Sequence, residues 1–196
     1  LVVSGHPAGF PDRGKGAGEG RAVNGKTLPP PVGYRHYLEV MRSLDAMKRT
    51  APAASPDGEI DREALDDWAR AVLTAHGQFQ LLCALRRGPW GVEGLNERIR
   101  AALEKEGLID SGDGRRLWYP GRPVLVTRND YGLGLMNGDI GITLALPDTA
   151  APGEGAAHRG PALRVAFPAG DGSGRIKWVL PSRLQAVETV YAMTVH

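Results

Sequence analysis

The sequence has a single cysteine, Cys83, so an intramolecular disulfide is excluded. Because this cysteine lies in the apolar run F-Q-L-L-C-A-L, we predict a buried thiol that packs as a small hydrophobic side chain, which fits a reducing cytoplasm. No apolar stretch approaches the roughly 18 residues that a membrane-spanning helix needs, so we expect no membrane partner. The net charge of +2 is too small to indicate a nucleic-acid partner by itself.

Patterns that bind metal ions are also missing from the sequence. The five histidines are scattered without the spacing of metal ligands, and no cluster of cysteines or acidic residues accompanies them. We therefore predict no metal ion in this chain.

Glycine and proline are abundant, with 27 and 15 residues, and much of the excess lies in two segments. Residues 1–33 show neither a helical nor a strand period, so we predict a flexible arm. The segment from Pro147 to Pro161 is predicted to be a loop.

Two amphipathic helices are predicted after the arm. Beginning at Tyr34, apolar side chains recur at helical spacing as far as Met47. A second helix is expected from the N-cap Asp61 to about Gly77, with an apolar stripe that begins at Leu65.

A strand, a glycine-rich turn and a third helix follow. The segment from Phe79 to Leu85 is short and apolar, which favours a strand covered on both faces of a parallel sheet. The helical period from Val92 to Leu103 ends before Gly107, which is placed to terminate the helix. These elements are half of a β-α-β unit, so the predicted class is α/β.

After Gly121 the apolar period changes to two. Four short strands with turns between them predict a small antiparallel barrel or sandwich. The segment from Thr189 to Val195 is rich in β-branched residues and is expected to return to the parallel sheet, which would make the barrel an insertion. Within the barrel, Trp178 is predicted to be a residue of the barrel core and Lys177 to point to solvent.

The segment Gly20 to Thr27, G-R-A-V-N-G-K-T, matches the pattern of a phosphate-binding loop. Such a loop needs a buried strand before it and a helix after it, and the flanking P-D-R-G-K-G-A-G-E and L-P-P-P-V-G favour neither. We interpret the match as a coincidence. A small P-loop NTPase is kept as an alternative that a Lys26→Ala variant tests.

The loop from Arg86 to Gly91 is the strongest functional candidate on the residues alone, because ligands bind at the carboxyl ends of parallel strands. Its two arginines can contact phosphate, Trp90 can stack on a base, and the amides of residues 92–94 suit an anion. Alternatively, the arginines form surface ion pairs and Trp90 fills the gap between sheet and helix. The residues alone do not decide between these interpretations.

Two further segments carry weaker signals. Asn137, Gly138 and Asp139 are typical of a turn, as is the run from Arg128 to Asp130, although Arg128 is also placed to reach a phosphate. Thr194 and His196 are two residues apart on an extended segment, so both can donate to phosphate oxygens.

The strings L-L-C-A-L-R-R-G-P-W-G-V-E-G-L-N-E-R-I (Leu81 to Ile99) and G-R-P-V-L-V-T-R-N-D-Y-G-L-G-L-M-N-G-D-I-G (Gly121 to Gly141) strongly resemble the RecD, or alpha, subunits of exodeoxyribonuclease V. These subunits are bacterial superfamily 1 DNA helicases, and the resemblance extends from about Gly33 to His196. It implies a RecA-like motor domain, 2A, at residues 34–120 and 185–196, with an inserted SH3-like barrel, 2B, at residues 121–184. The sequence T-V-H at the end would continue as K-S-Q-G in this family, so the chain is expected to be a fragment. The resemblance implies the following DNA contacts: Arg86, Arg87, Gly88, Trp90, Gly91, Asn96, Arg128, Asn129, Thr194 and His196.

The resemblance also implies a function. The parent would be an ATP-dependent 5′–3′ DNA helicase subunit acting in double-strand break repair and recombination in the bacterial cytoplasm. Its partners would be single-stranded DNA and the beta and gamma subunits, and its cofactors ATP and Mg²⁺. For this fragment the resemblance implies no catalytic residue, no cofactor and no ATPase activity. A stand-alone SH3-like module that binds nucleic acid or protein is the other alternative.

Overall fold

The fold is given by a computed structural model, which describes residues 1–5, 21–23, 26–28, 31–50, 62–146 and 162–194. Its helices are α1 (Arg35–Thr50), α2 (Arg62–Gly77) and α3 (Val92–Lys105). Its strands are β1 (Arg21–Val23), β2 (Lys26–Leu28), β3 (Leu81–Cys83), β4 (Pro123–Val126), β5 (Ile140–Leu146), β6 (Ala162–Pro168), β7 (Ile176–Val179), β8 (Val187–Thr189) and β9 (Ala192–Thr194).

The three helices confirm the predictions from apolar spacing. Helix α2 ends at Gly77, and α3 begins at Val92 and is followed by Gly107 with a φ of +64°. A positive φ suits glycine, which ends the helix at little steric cost. None of the helices in the described segments combines the length and the apolar character needed to cross a membrane. The predicted N-cap Asp61 and the predicted loop from Pro147 to Pro161 lie outside the described residues.

The parallel pair β3–β9 confirms that the end of the chain returns to the strand at Leu81. Leu81 is opposite Ala192, and Cys83 is opposite Thr194. The predicted strand was too long, and its burial on both faces was wrong. Leu82 is 54% exposed and Cys83 is half-buried, because β3 has one neighbouring strand and lacks a second covering layer in the described part of the chain.

The other main sheet has five antiparallel strands in the order β7-β6-β5-β4-β8. Its outer strands β7 and β8 do not pair with each other, so the described residues form an open sheet and not the closed barrel that was predicted. Strand β8 pairs with β4 through Val124 and Thr189. Residues 185–194 therefore contribute one strand to each sheet, which corrects the assignment of the whole segment to the parallel sheet.

The five-stranded sheet separates two apolar cores, as its period-two pattern requires. One face packs against the helices through Ile142, Leu144 and Ala166. The opposite face has a core of its own, formed by Val124, Val126, Leu135, Val165, Phe167 and Val179. Trp178 was predicted to lie in the core of the barrel, but it is half-buried and packs against the helical core, where its Nε1 donates to Asp66 of α2 at 2.7 Å. Lys177 differs from the prediction, since it is half-buried and donates to the carbonyl of Gly134.

The segment predicted as a flexible arm contains ordered elements. The amides of Tyr34 and Arg35 donate to the carbonyls of Val2 and Val3, at 2.8 and 2.7 Å. Strands β1 and β2 form an antiparallel pair, in which Val23 is opposite Lys26. The two residues between these strands are Asn-Gly, a hairpin signal that the sequence analysis considered only as part of a phosphate-loop pattern.

Buried tyrosine hydroxyls connect α1 to both sheets. The hydroxyl of Tyr34 donates to the carbonyl of Tyr191 and accepts from the amide of Leu81 at 3.1 Å. The hydroxyl of Tyr37 donates to the carbonyl of Gly121 at 2.7 Å. Burial raises the pKa of Tyr34 to about 12, so this hydroxyl keeps its proton at any physiological pH. The network fixes β3 and β9 relative to the sheet that begins after Gly121.

Candidate nucleic-acid interface

A cleft of about 310 Å³ lies between the parallel pair and the edge of the five-stranded sheet. The carboxyl ends of β3 and β9 open onto it. Its polar lining consists of Arg86, Thr127, Asn137, Glu188, Thr189 and Thr194. The structure therefore brings together two of the predicted DNA contacts, Arg86 and Thr194. The other predicted contact near Thr194, His196, lies outside the described residues.

The loop between β3 and α3 folds tightly onto the first turn of the helix. The amide of Gly91 donates to the carbonyl of Gly88 at 3.0 Å, and Gly88 has a φ of +89°. A Cβ atom on Gly94 would lie 2.6 Å from the Gly88 carbonyl oxygen and 2.7 Å from the Cα of Pro89. The glycines thus allow the close approach that directs Arg86, Arg87 and Trp90 into solvent.

At the helix N-terminus, two of the three amides that the sequence suggested for an anion are bonded within the loop. The amide of Val92 donates to the carbonyl of Leu85 at 2.9 Å, and the amide of Glu93 donates to the carbonyl of Arg86 at 3.4 Å. These two donors are satisfied by the loop itself, and Glu93 adds a negative charge to the first turn. The arginine side chains are therefore the main phosphate-binding groups that this loop offers.

The two arginines of the loop are exposed. Arg86 approaches Glu188 of β8 across the cleft, with 3.8 Å between Nη2 and Oε2. Both side chains are more than half exposed, so the pair contributes at most about 1 kcal/mol and a phosphate can replace the carboxylate. Arg87 forms no ion pair with any other described residue. Arg86 thus forms a surface ion pair, as the alternative interpretation predicted, and Arg87 is accessible to a ligand.

Trp90 does not fill a gap between sheet and helix. Its side chain is 66% exposed, which is unusual for so large an apolar group. The guanidinium carbon of Arg98, on α3, lies 4.4 Å from the centroid of the indole ring. This distance is within the range of a cation–π interaction. The loop therefore presents an aromatic surface that is supported from the helix.

Asn96 has a structural role in this arrangement. Its Nδ2 donates to the carbonyl of Ala192 at 3.3 Å, and the Ala192 amide donates to its Oδ1 at 2.9 Å. The amide group thus pairs with β9 much as a neighbouring strand would, and holds the start of β9 against α3. Asn96 supports the cleft from behind, with both polar atoms of its side chain bonded to β9.

Arg128 and Asn129 lie outside the residues that line the cleft. Asn129 accepts the amide of Asn137 at 2.8 Å and donates to the hydroxyl of Tyr131 at 3.2 Å. The carboxylate of Asp139 accepts the amide of Met136 at 2.8 Å. These contacts confirm the turn interpretation of Asn137 and Asp139. Arg128 is exposed beside this turn and, together with Asn129, lines a smaller pocket apart from the cleft.

Several residues at the cleft were not predicted from the sequence. Glu188 was overlooked because β8 was not recognised as an edge strand, although a charged residue between Val187 and Thr189 is typical of one. The buried guanidinium of Arg122 donates to Thr189 at 2.9 Å and holds it in the lining. Burial lowers the pKa of Arg122. No sequence pattern indicated a role for Arg98, since its contact with Trp90 depends on how the loop folds.

The phosphate-loop match falls on an antiparallel pair of strands. Of the described residues of the match, Arg21–Val23 form β1, and Lys26 and Thr27 belong to β2, which pairs with β1, and not to the start of a helix. In the described segments, no group of three or more His, Cys, Asp or Glu side chains is placed to hold a metal ion.

Comparison with known proteins identifies the family. The chain is 42% identical over 184 residues, 92% of its length, to the RecBCD enzyme subunit RecD of Mycobacterium tuberculosis H37Rv. It is 39% identical over 130 residues to the RecD subunit of Mycolicibacterium smegmatis, which covers 65% of the chain. It is also 31% identical over 142 residues, 72% of its length, to the ATP-dependent RecD2 DNA helicase of Deinococcus radiodurans. No protein-family model matches it.

The match covers a small part of each relative. The chain spans 28% of the M. tuberculosis protein, 19% of the M. smegmatis protein and 17% of the D. radiodurans protein. Identity of this level over nine-tenths of the chain is nevertheless beyond coincidence. The chain belongs to the RecD family.

Proposed function

We propose that this chain is a part of an ATP-dependent DNA helicase of the RecD type and that it contributes contacts to single-stranded DNA. The observation that carries the proposal is the loop from Arg86 to Gly91. It places two exposed guanidiniums and an exposed indole at the carboxyl end of the parallel pair, beside the cleft. The family relation supports the class of activity, because one relative is named an ATP-dependent DNA helicase.

The chemistry of this loop suits a single strand. Guanidiniums bind phosphate oxygens through paired N–H donors, and an exposed indole stacks on a base of any sequence. The hydroxyls of Thr127, Thr189 and Thr194 are further polar groups of the cleft lining. Binding by so few phosphate contacts is expected to be weak and sensitive to salt.

The incomplete parallel sheet supports a position inside a larger motor domain. Parallel sheets are normally covered on both faces, whereas Leu82 and Leu85 are 54% and 58% exposed. We propose that β3 and β9 belong to motor domain 2A, completed by strands from other parts of the parent protein. In this proposal the five-stranded sheet corresponds to the inserted module 2B.

The remaining features of the parent protein follow from the same proposal. The parent would translocate 5′ to 3′ with ATP and Mg²⁺, assemble with the beta and gamma subunits, and act in double-strand break repair in the bacterial cytoplasm. The isolated chain would not hydrolyse ATP, because the only phosphate-loop match in the sequence lies on a hairpin. ATP turnover by the purified chain that is lost in a Lys26→Ala variant would contradict this part.

Fluorescence anisotropy with a labelled thymidine oligonucleotide tests the DNA contacts. We expect the Arg86→Ala/Arg87→Ala variant to bind more weakly and to reduce the slope of log K against log salt by about 1.4, about 0.7 for each lost phosphate contact. Arg115→Ala removes an exposed charge from a different loop and is the matched control. A double variant that binds like the control would refute the role of this loop.

A further inference from the structure

We propose that Arg98 and Trp90 form a preassembled platform that selects an unstacked nucleobase, with Arg98 as a positioning residue that also reaches the neighbouring phosphate. This inference rests on the proposed binding of single-stranded DNA, with Trp90 as the stacking surface, and adds Arg98 as the residue that positions the ring. A site built only from Arg86 and Arg87 would recognise phosphates alone.

The geometry of the pair leaves one face of the indole available. Arg98 covers one side of the ring at 4.4 Å, and the Trp90 side chain nevertheless keeps 66% of its surface in solvent. A planar guanidinium that stacks on a ring also keeps its N–H edges free for a phosphate oxygen. The cation thus holds the ring in one orientation and adds positive charge beside the strand.

Nearby acidic groups do not neutralise this platform. Glu97, the residue before Arg98, is bound by Arg100, with 3.0 Å between Nε and Oε2. Glu188 lies opposite Arg86, and no carboxylate of the described residues forms an ion pair with Arg98. The cation over the ring is therefore available to a polyanion.

The position of the ring in a rigid turn favours a base over a protein side chain as its occupant. The loop is fixed by the bonds from Gly91 and Val92 to loop carbonyls, so the ring and the two loop arginines form one unit. One cation stacked on an exposed indole, with two exposed arginines in the same loop, complements a ligand that alternates anionic and aromatic groups. Tryptophan and arginine are also common at protein interfaces, and the experiment below separates the two cases.

The test compares two labelled dodecamers of equal charge, one of thymidine and one in which every base is replaced by an abasic site. The unmodified chain should bind the thymidine strand about tenfold more tightly than the abasic strand, because stacking on an aromatic side chain contributes on the order of 1–3 kcal/mol per base. Trp90→Ala should reduce this ratio to about one. Arg98→Ala and Arg98→Lys should both lower the ratio, since lysine keeps the charge without the planar stack.

The controls separate positioning from folding and from charge. Arg115→Ala should slightly weaken binding to both oligonucleotides and leave the ratio of their affinities unchanged. Thermal denaturation should show equal stability for all variants. Equal affinity of the unmodified chain for both strands, with binding still reduced by Arg86→Ala, would refute the platform alone. Binding to neither strand would refute the proposed function itself. A thymidine-to-abasic ratio that survives Trp90→Ala would show that the bases stack elsewhere and that Trp90 is left for a protein partner.

Discussion

Lowering the pH from about 7 to about 5 should destabilise this fold by about 2 kcal/mol through one side chain, His76. His76 lies in the last turn of α2 and is 4% exposed. Its ring stacks on Tyr34 at 6.0 Å between centroids and meets Tyr37 edge-on at 5.0 Å. The Nε2 atom is buried without a hydrogen-bond partner, so a proton added there would be a buried charge with no compensation.

Burial lowers the pKa of His76 from its ordinary value of 6.5 to about 4. The unfolded chain therefore binds a proton between these values while the folded chain does not, and the stability from neutral His76 is lost as the pH falls through this window. At 1.36 kcal/mol per pH unit, the difference between the two pKa values of His76 contributes about 3 kcal/mol to the free energy of unfolding. About 2 kcal/mol of this contribution is lost by pH 5. Above about pH 7, His76 is neutral in both the folded and the unfolded chain, so it no longer changes the free energy of unfolding with pH.

Urea denaturation at several pH values between 5 and 7.5 measures the effect. Glu97 and Glu104 also have lowered pKa values, from their bonds to Arg100 and to Ser111, but their contributions are lost only at lower pH. A His76→Phe variant should remove the pH dependence, and NMR titration should show the His76 ring neutral at pH 5. A free energy of unfolding that is constant from pH 7 to 5, or that falls equally in the variant, would refute the reasoning.

Three further substitutions test other parts of the structure. Tyr34→Phe should lower the free energy of unfolding by about 1–3 kcal/mol, because two backbone groups lose a buried partner, whereas Tyr131→Phe at a site 78% exposed should have no effect in the same denaturation assay. Gly94→Ala should destabilise the chain by about 1–3 kcal/mol and weaken oligonucleotide binding, because the new methyl group meets the preceding loop, whereas Gly77→Ala, with open space around it, should be tolerated. Glu188→Gln should strengthen oligonucleotide binding about threefold in anisotropy, by releasing its arginine partner across the cleft; unchanged affinity would show that this pair does not compete with DNA.

Apolar periodicity predicted the helices and most of the strands because local burial decides them. Helix α3 and strands β5 and β6 occur where the 3.6-residue and two-residue periods place them. The exposed face of β3 was not predictable in this way, since a short apolar run does not show how many strands will cover it. The same limit applies to the open sheet, because pairing of the outer strands is a long-range property.

The candidate site was predictable in its residue types and not in its geometry. An Arg-Arg-Gly-Pro-Trp-Gly turn between a strand and a helix indicated the loop, and the structure places its side chains in solvent. The satisfied amides of Val92 and Glu93 and the contact from Arg98 depend on how the loop folds over α3. The carboxylate of Glu188 enters the cleft because β8 joins the five-stranded sheet, which depends on pairing with β4.

The central claim is that single-stranded DNA lies along the cleft at the carboxyl ends of β3 and β9. Amide chemical-shift mapping during titration with a thymidine oligonucleotide at low salt tests it most directly. The account predicts that the largest shifts occur in the loop from Arg86 to Gly91 and at Thr127, Thr189 and Thr194. Shifts concentrated instead in the groove between α2 and the turn from Pro168 to Ile176, or spread evenly over the chain, would contradict it.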